Sequence, residues 1–189
     1  GKSSQALNDA AKSLHTSGVV TVVSAGNKNN NACLRSPAGE RAVITVANTN
    51  KNDQRGESSN FGRCVDLFAP GSEIPSAGNE NDSQVRTLTG TSMAAPHVAG
   101  AAALLLGKGV LSEDVSQVLV SMATEGKVKN ARRRSPNKLL FVGEIIPTNP
   151  PTNPLFNPPM EGGIVIFEEE FEGRSGSFNG FQKRVFTDQ

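Results

Sequence analysis

An α/β fold on a mostly parallel sheet, with helices on both faces, is the class this sequence predicts, and three observations carry it. The apolar runs Val19 to Ser24 and Val43 to Ala47 are continuous rather than alternating, as in strands covered on both faces. Helical segments fall around such runs, the order that links parallel strands through crossovers. At 189 residues with 36% hydrophobic content, the chain is long enough for one core and a tail.

The elements follow in order. Ser4 to Thr16 reads as an amphipathic helix with Leu7, Ala10, Ala11 and Leu14 on one face, stopped by Gly18. Strands come next at Val19 to Ser24, Val43 to Ala47 and Val65 to Phe68, then a polar region from Gly71 to Ser83. An alanine-rich helix starts at Ser92, runs through Ala101 to Leu106 and ends at Gly107 and Gly109. Pro96 lies near its start, where the N–H that proline lacks is expected to be one the helix leaves unused. A further helix spans Ser112 to about Met122, with Ser112 as N-cap and Glu113 and Asp114 complementing its dipole.

Composition shifts abruptly at Pro147, with Pro150, Pro151, Pro154, Pro158 and Pro159 close behind, so this stretch reads as a semi-rigid extended linker. Beyond it, Ile164-Val165-Ile166-Phe167 and the Phe-rich remainder to Phe186 read as one or two strands of a second, β-rich domain. The expected division is residues 1–142, a linker at 143–161 and a truncated second domain at 162–189.

A net charge of +1 supplies no excess that would point to nucleic acid or to a membrane surface. No apolar run approaches the length of a membrane-spanning helix. The basic cluster Lys127, Lys129, Arg132, Arg133, Arg134 and Lys138 reads as a solvated loop open to trypsin-like cleavage. Asn81-Asp82-Ser83 matches the N-glycosylation pattern, which also arises by chance. Cys33 and Cys64, the only cysteines, could be free core thiols or a bridge, and lack the paired histidines of a zinc site.

The chemistry concentrates in Gly90-Thr91-Ser92-Met93-Ala94-Ala95-Pro96-His97-Val98-Ala99-Gly100. A serine at a helix start is commonly an N-cap. It also sits among unpaired N–H groups at the positive end of the dipole, which favours an alkoxide-like oxygen and an incoming oxyanion. This segment closely resembles, without a gap, the serine-nucleophile signature of the subtilisin-like serine proteases, the subtilases. Upstream, Val22-Val23-Ser24-Ala25-Gly26-Asn27 resembles the family's strand and turn that carry an oxyanion-stabilising asparagine. On composition alone, the run Asn27 to Asn31 is a turn or loop.

The resemblance implies a subtilisin-like fold and a serine endopeptidase of the proteinase K branch, acting on proteins or peptides through an acyl-enzyme on Ser92. Asn27 would donate to the oxyanion, and Ser24, Ala25 and Gly26 would line one wall of the primary specificity pocket. Cys33 and Cys64 lie in segments resembling those that carry a disulfide in proteinase K-like enzymes. Asp66 matches a structural calcium ligand of that branch, with backbone carbonyls at Arg41 and Val43; its other reading is an aspartate hydrogen-bonded at a strand end. No cofactor is implied for the chemistry. Secretion and an upstream propeptide are implied.

Two parts of the family pattern are missing. Neither an Asp-Thr-Gly or Asp-Ser-Gly turn nor a His-Gly-Thr helix start occurs. Of the two histidines, His97 lies about 140° around the helix from Ser92 and so points elsewhere. His15 reads as a solvated last-turn residue. The resemblance begins near Gly1, matches the C-terminal half of a subtilase catalytic domain and includes Ser135 to Phe141 as the family's last segment. The chain is therefore expected to be a fragment, inactive alone. The alternatives are a non-catalytic subtilase-fold binding protein or, more distantly, an interaction module with no protease ancestry. Residues 162–189 resemble the start of jelly-roll accessory domains.

Overall fold

The computed structural model describes residues 2–143 and the backbone of residues 164–167. Helix α1 spans Gln5–Thr16, followed by strand β1 (Val20–Ser24), a 3-10 turn at Ala32–Leu34, β2 (Ile44–Thr49) and β3 (Leu67–Pro70). Strands β4 (Ile74–Ala77) and β5 (Val85–Leu88) precede helices α2 (Thr91–Gly107) and α3 (Val115–Met122), and the short strands β6 (Thr124–Glu125) and β7 (Lys138–Leu139) follow. Residues 164–167 form β8 (Ile164–Phe167).

The main sheet runs in the order β6-β7-β3-β2-β1-β8, parallel except for the β6–β7 pair. Val22 stands beside Ile44 and Val46 beside Leu67, so the apolar residues of neighbouring strands form rows across the sheet. The continuous strands are covered on both faces, as their sequence requires. One face carries Val20, Val22, Ile44, Val46, Leu67 and Ala69 against α2 and α3. The opposite face has Val23 and Val43 packed with Ala11 of α1, and a separate cluster in which Phe68 and Val65 meet Ala25, Ala32 and Val128. Strand β8 pairs in parallel with β1, Val20 opposite Ile164; the remainder of the expected linker and second domain lies outside the described residues.

Several boundaries moved for local reasons. The hydroxyl of Ser4 caps α1, accepting from the Leu7 N–H, and Gly18 follows the helix at φ 78. Ala10 is exposed, because Leu7, Ala11 and Leu14 alone centre on the inner face. Helix α3 begins at Val115, not Ser112; residues 112–114 make a turn closed by the Asp114 N–H on the Leu111 carbonyl at 2.9 Å. Pro96 is the sixth residue of α2, so the N–H it lacks would have bonded the Ser92 carbonyl, contrary to expectation. The polar region contains the unforeseen antiparallel hairpin β4–β5. No helix among the described residues is long and apolar enough to cross a membrane.

Candidate active site

The C-terminal end of β1 and the N-terminal end of α2 meet at one place. Gly90 is the N-cap of α2 and has no side chain to offer as a cap, so Ser92, the second helical residue, is released from that role. The half-buried Ser92 hydroxyl has no hydrogen-bond partner among the described residues. Its N–H, too early in the helix for an internal acceptor, is also available. Both sit at the positive end of a 17-residue helix.

Thr91 joins this end to β1. Its N–H donates to Oδ1 of Asn27 at 2.9 Å, and its hydroxyl donates to the same oxygen at 3.0 Å. The hydroxyl also accepts from the N–H of Gly26 at 3.1 Å. A backbone donor on one end of the carboxamide fixes that end as oxygen, so Asn27 must turn its Nδ2 the other way. Nδ2 has no partner among the described residues. It lies so near Gly90 that a Cβ there would stand 3.2 Å from it, so a larger residue at the N-cap would press on the Asn27 amide. Gly26, at φ 95, makes the turn a side chain would strain.

Asn60 secures the turn from behind. Its side chain donates to the Ala25 carbonyl at 2.7 Å and accepts from the N–H groups of Lys28 at 3.1 Å and Asn30 at 2.9 Å, and its own N–H donates to Gly26 at 2.7 Å. Sequence reasoning missed both Asn60 and Thr91 as supports. Thr91 carries a signal only as the residue before Ser92; Asn60 carries none beyond its place in a polar loop. Ser24, Ala25 and Gly26 are buried directly behind Asn27.

Neither histidine is gathered to this point by a bond. The ring of His97 is exposed, and its Nδ1 pairs with the Met93 carbonyl at 2.8 Å, a bond within its own helix. His15 is exposed in the last turn of α1.

Cys33 and Cys64 are disulfide-bonded with Cα atoms 5.2 Å apart, tying the 3-10 turn to the loop before β3. Asp66, just after, accepts the Thr45 N–H on Oδ2 at 2.7 Å, and its N–H donates to the Thr45 carbonyl at 2.9 Å. Oδ1 has no partner among the described residues. Burial pushes the carboxyl up to about 6, against the opposing pull of the Thr45 N–H and the Arg41 guanidinium. A sequestered carboxylate with one oxygen unengaged suits a hard cation, so the residues fit calcium in donor chemistry. No cluster of three or more His, Cys, Asp or Glu side chains occurs among the described residues, leaving backbone carbonyls to complete any such shell.

Comparison with known proteins adds the following. The family model described as the subtilase family matches residues 1–138. The extracellular serine proteinase of a Thermus species is 48% identical over 143 residues, 75% of this chain and 35% of the relative. The alkaline serine exoprotease A of Vibrio alginolyticus is 47% identical over 143 residues, 75% of this chain and 26% of the relative. A solved cold-adapted subtilisin-like serine proteinase superposes with a TM-score of 0.72 at 44% identity, covering 76% of this chain and 53% of that one. The chain thus spans about a third or less of these two curated relatives.

Proposed function

The chain belongs to the subtilase family, and on that premise we propose that it supplies the nucleophile and oxyanion-binding half of a secreted serine endopeptidase. One observation carries the reading: the unengaged Ser92 hydroxyl stands at a helix N-terminus beside an Asn27 amide whose oxygen is tied back and whose N–H₂ is free. Ser92 attacks the scissile carbonyl, and its proton must pass to a base. The developing oxyanion is met by the Ser92 N–H and the Asn27 Nδ2, donors already oriented before the reaction. Ser24, Ala25 and Gly26 form one pocket wall. The base, its orienting aspartate and the rest of the cleft come from outside these residues, so the chain alone is inactive.

Further support comes from relatives named extracellular serine proteinase and alkaline serine exoprotease. An extracellular location also agrees with the disulfide. Calcium at Asp66, with the carbonyls of Arg41 and Val43, belongs to the same proposal as a structural ion. An upstream propeptide belongs to it too. The division at residue 142 into catalytic part, linker and β-rich segment stands as part of the proposal, with the strand at residues 164–167 of that segment lying beside β1 of the catalytic part.

The test is labelling by a serine-directed fluorophosphonate. The chain alone should not react; joined to the N-terminal half of a related proteinase, it should be labelled at Ser92. Ser92→Ala should abolish the label. Asn27→Ala should slow turnover by about 10² to 10³, the size known for the same donor in a subtilisin. A complemented protein that folds, binds peptides and never labels would favour the binding-protein reading.

A further inference from the structure

The β4–β5 hairpin carries a feature that the proposed chemistry does not use. Its tip holds Asn81-Asp82-Ser83, and all three residues are exposed. The Ser83 hydroxyl donates to Oδ1 of Asn81 at 3.0 Å, and the Ser83 N–H donates to the same oxygen at 3.2 Å. With Oδ1 engaged twice on the chain side, the Asn81 Nδ2 has no partner among the described residues.

The surrounding loop holds this arrangement open. Gln84 reaches back to the other side of the tip, accepting the Glu80 N–H at 3.0 Å and donating to the Glu80 carboxylate at 2.7 Å. The Gly78 N–H closes the hairpin on the Gln84 carbonyl at 2.7 Å. Both bonds that orient Asn81 span only two residues, so they need no tertiary contact to form.

We propose that Asn81 is an N-glycosylation site, presented in an acceptor-ready conformation at the hairpin tip. The co-substrate is an oligosaccharide carried on a polyprenyl diphosphate. Nδ2 bonds to the anomeric carbon of the first sugar as the bond from that carbon to the diphosphate oxygen breaks. The lipid diphosphate leaves with the electron pair, and one Nδ2 proton passes to the transferase. The Ser83 hydroxyl is the positioning group, drawing Oδ1 back while Nδ2 faces the donor. This inference rests on the reading of the chain as a secreted protein.

The full chain is produced in a eukaryotic host behind the host's own signal sequence, so that entry to the secretory route does not depend on that reading. Mass spectrometry of the peptide containing Asn81, before and after peptide N-glycosidase, is the readout. The expected result is a glycan at Asn81, retained in Ser83→Thr and lost in Asn81→Gln and Ser83→Ala. A chain that enters the secretory route with Asn81 wholly unmodified overturns the proposal. A glycan that persists in Ser83→Ala overturns the positioning role of Ser83. The extracellular reading is judged separately, by where the native protein accumulates.

Discussion

Thr91 holds the carboxamide of Asn27 by two donors on one oxygen, its N–H at 2.9 Å and its hydroxyl at 3.0 Å. The pair joins residues 64 apart in the chain, and it settles which end of the Asn27 carboxamide is left free.

The threonine hydroxyl should therefore matter although it need not touch substrate. In the complemented proteinase, Thr91→Val removes one bond to Asn27 and strands the buried Gly26 N–H. The expected result is a fall in kcat of roughly tenfold to a hundredfold with KM little changed. Thr91→Ser should keep most of the activity. Activity kept in Thr91→Val but lost in Thr91→Ser would assign the role to the methyl group's packing instead.

Arg55 should be a stability determinant. It is 2% exposed, and its guanidinium donates to the carbonyls of Asn130 at 3.1 Å and Gly56 at 3.0 Å, with further bonds to Glu57 and Ser59. Its charge lies over the Phe61 ring at 5.7 Å. Burial lowers its pKa, with Arg132 adding to the shift. Arg55→Met leaves buried carbonyls unpaired and should cost about 3 kcal/mol or more in urea unfolding. Arg55→Lys should not restore this, because an ammonium cannot reproduce the fork. Full stability in the lysine variant would refute the argument.

The raised Asp66 carboxyl predicts a pH dependence of defined sign. The native state holds this proton up to about 6 and the unfolded chain releases it near 3.8, so the native state binds more protons in between. In chelator, the contribution of Asp66 to stability should fall as pH rises through that interval, and stay lost above it. Calcium should reverse the trend by holding the carboxylate ionised, and Asp66→Asn should flatten both curves. Thermal midpoints measured across the interval decide it: a slope unchanged in Asp66→Asn belongs to another group, and no response to calcium removes the ion.

The Cys33–Cys64 bond closes a loop of sequence separation 31, so breaking it should destabilise the fold by about 3 to 4 kcal/mol. Denaturation of Cys33→Ser/Cys64→Ser beside the parent gives the difference. A double variant as stable as the parent would mean that the loop is already ordered when unfolded.

What could be read from the sequence was what local pattern encodes. β1, β2 and the long helix α2 were recoverable because continuous apolar runs have one stable use in such a sheet. The β4–β5 hairpin was not, since Pro75, Ser76 and Ala77 face Thr87, Arg86 and Val85 in a ribbon exposed on most of its surface, with no apolar period to betray it. The start of α3 failed for a different reason: Ser112, Glu113 and Asp114 suit a helix start and a turn equally well, and the turn won. The contacts of Asn60 lie up to 35 residues away, a distance over which periodicity carries nothing.

Helix α2 carries Ser92 in its first turn and lays Ala94, Ala95, Val98, Ala102 and Leu105 into the main core. Motion is constrained as a result. Ser92 cannot drift from Asn27 without sliding a helix whose other end is packed between sheet and α3, so exchange of the α2 amides should report whole-molecule opening rather than local breathing. In the complemented proteinase, heat should then extinguish reactivity at Ser92 and cooperative structure at the same temperature, with no window in which a loosened site survives on an intact fold.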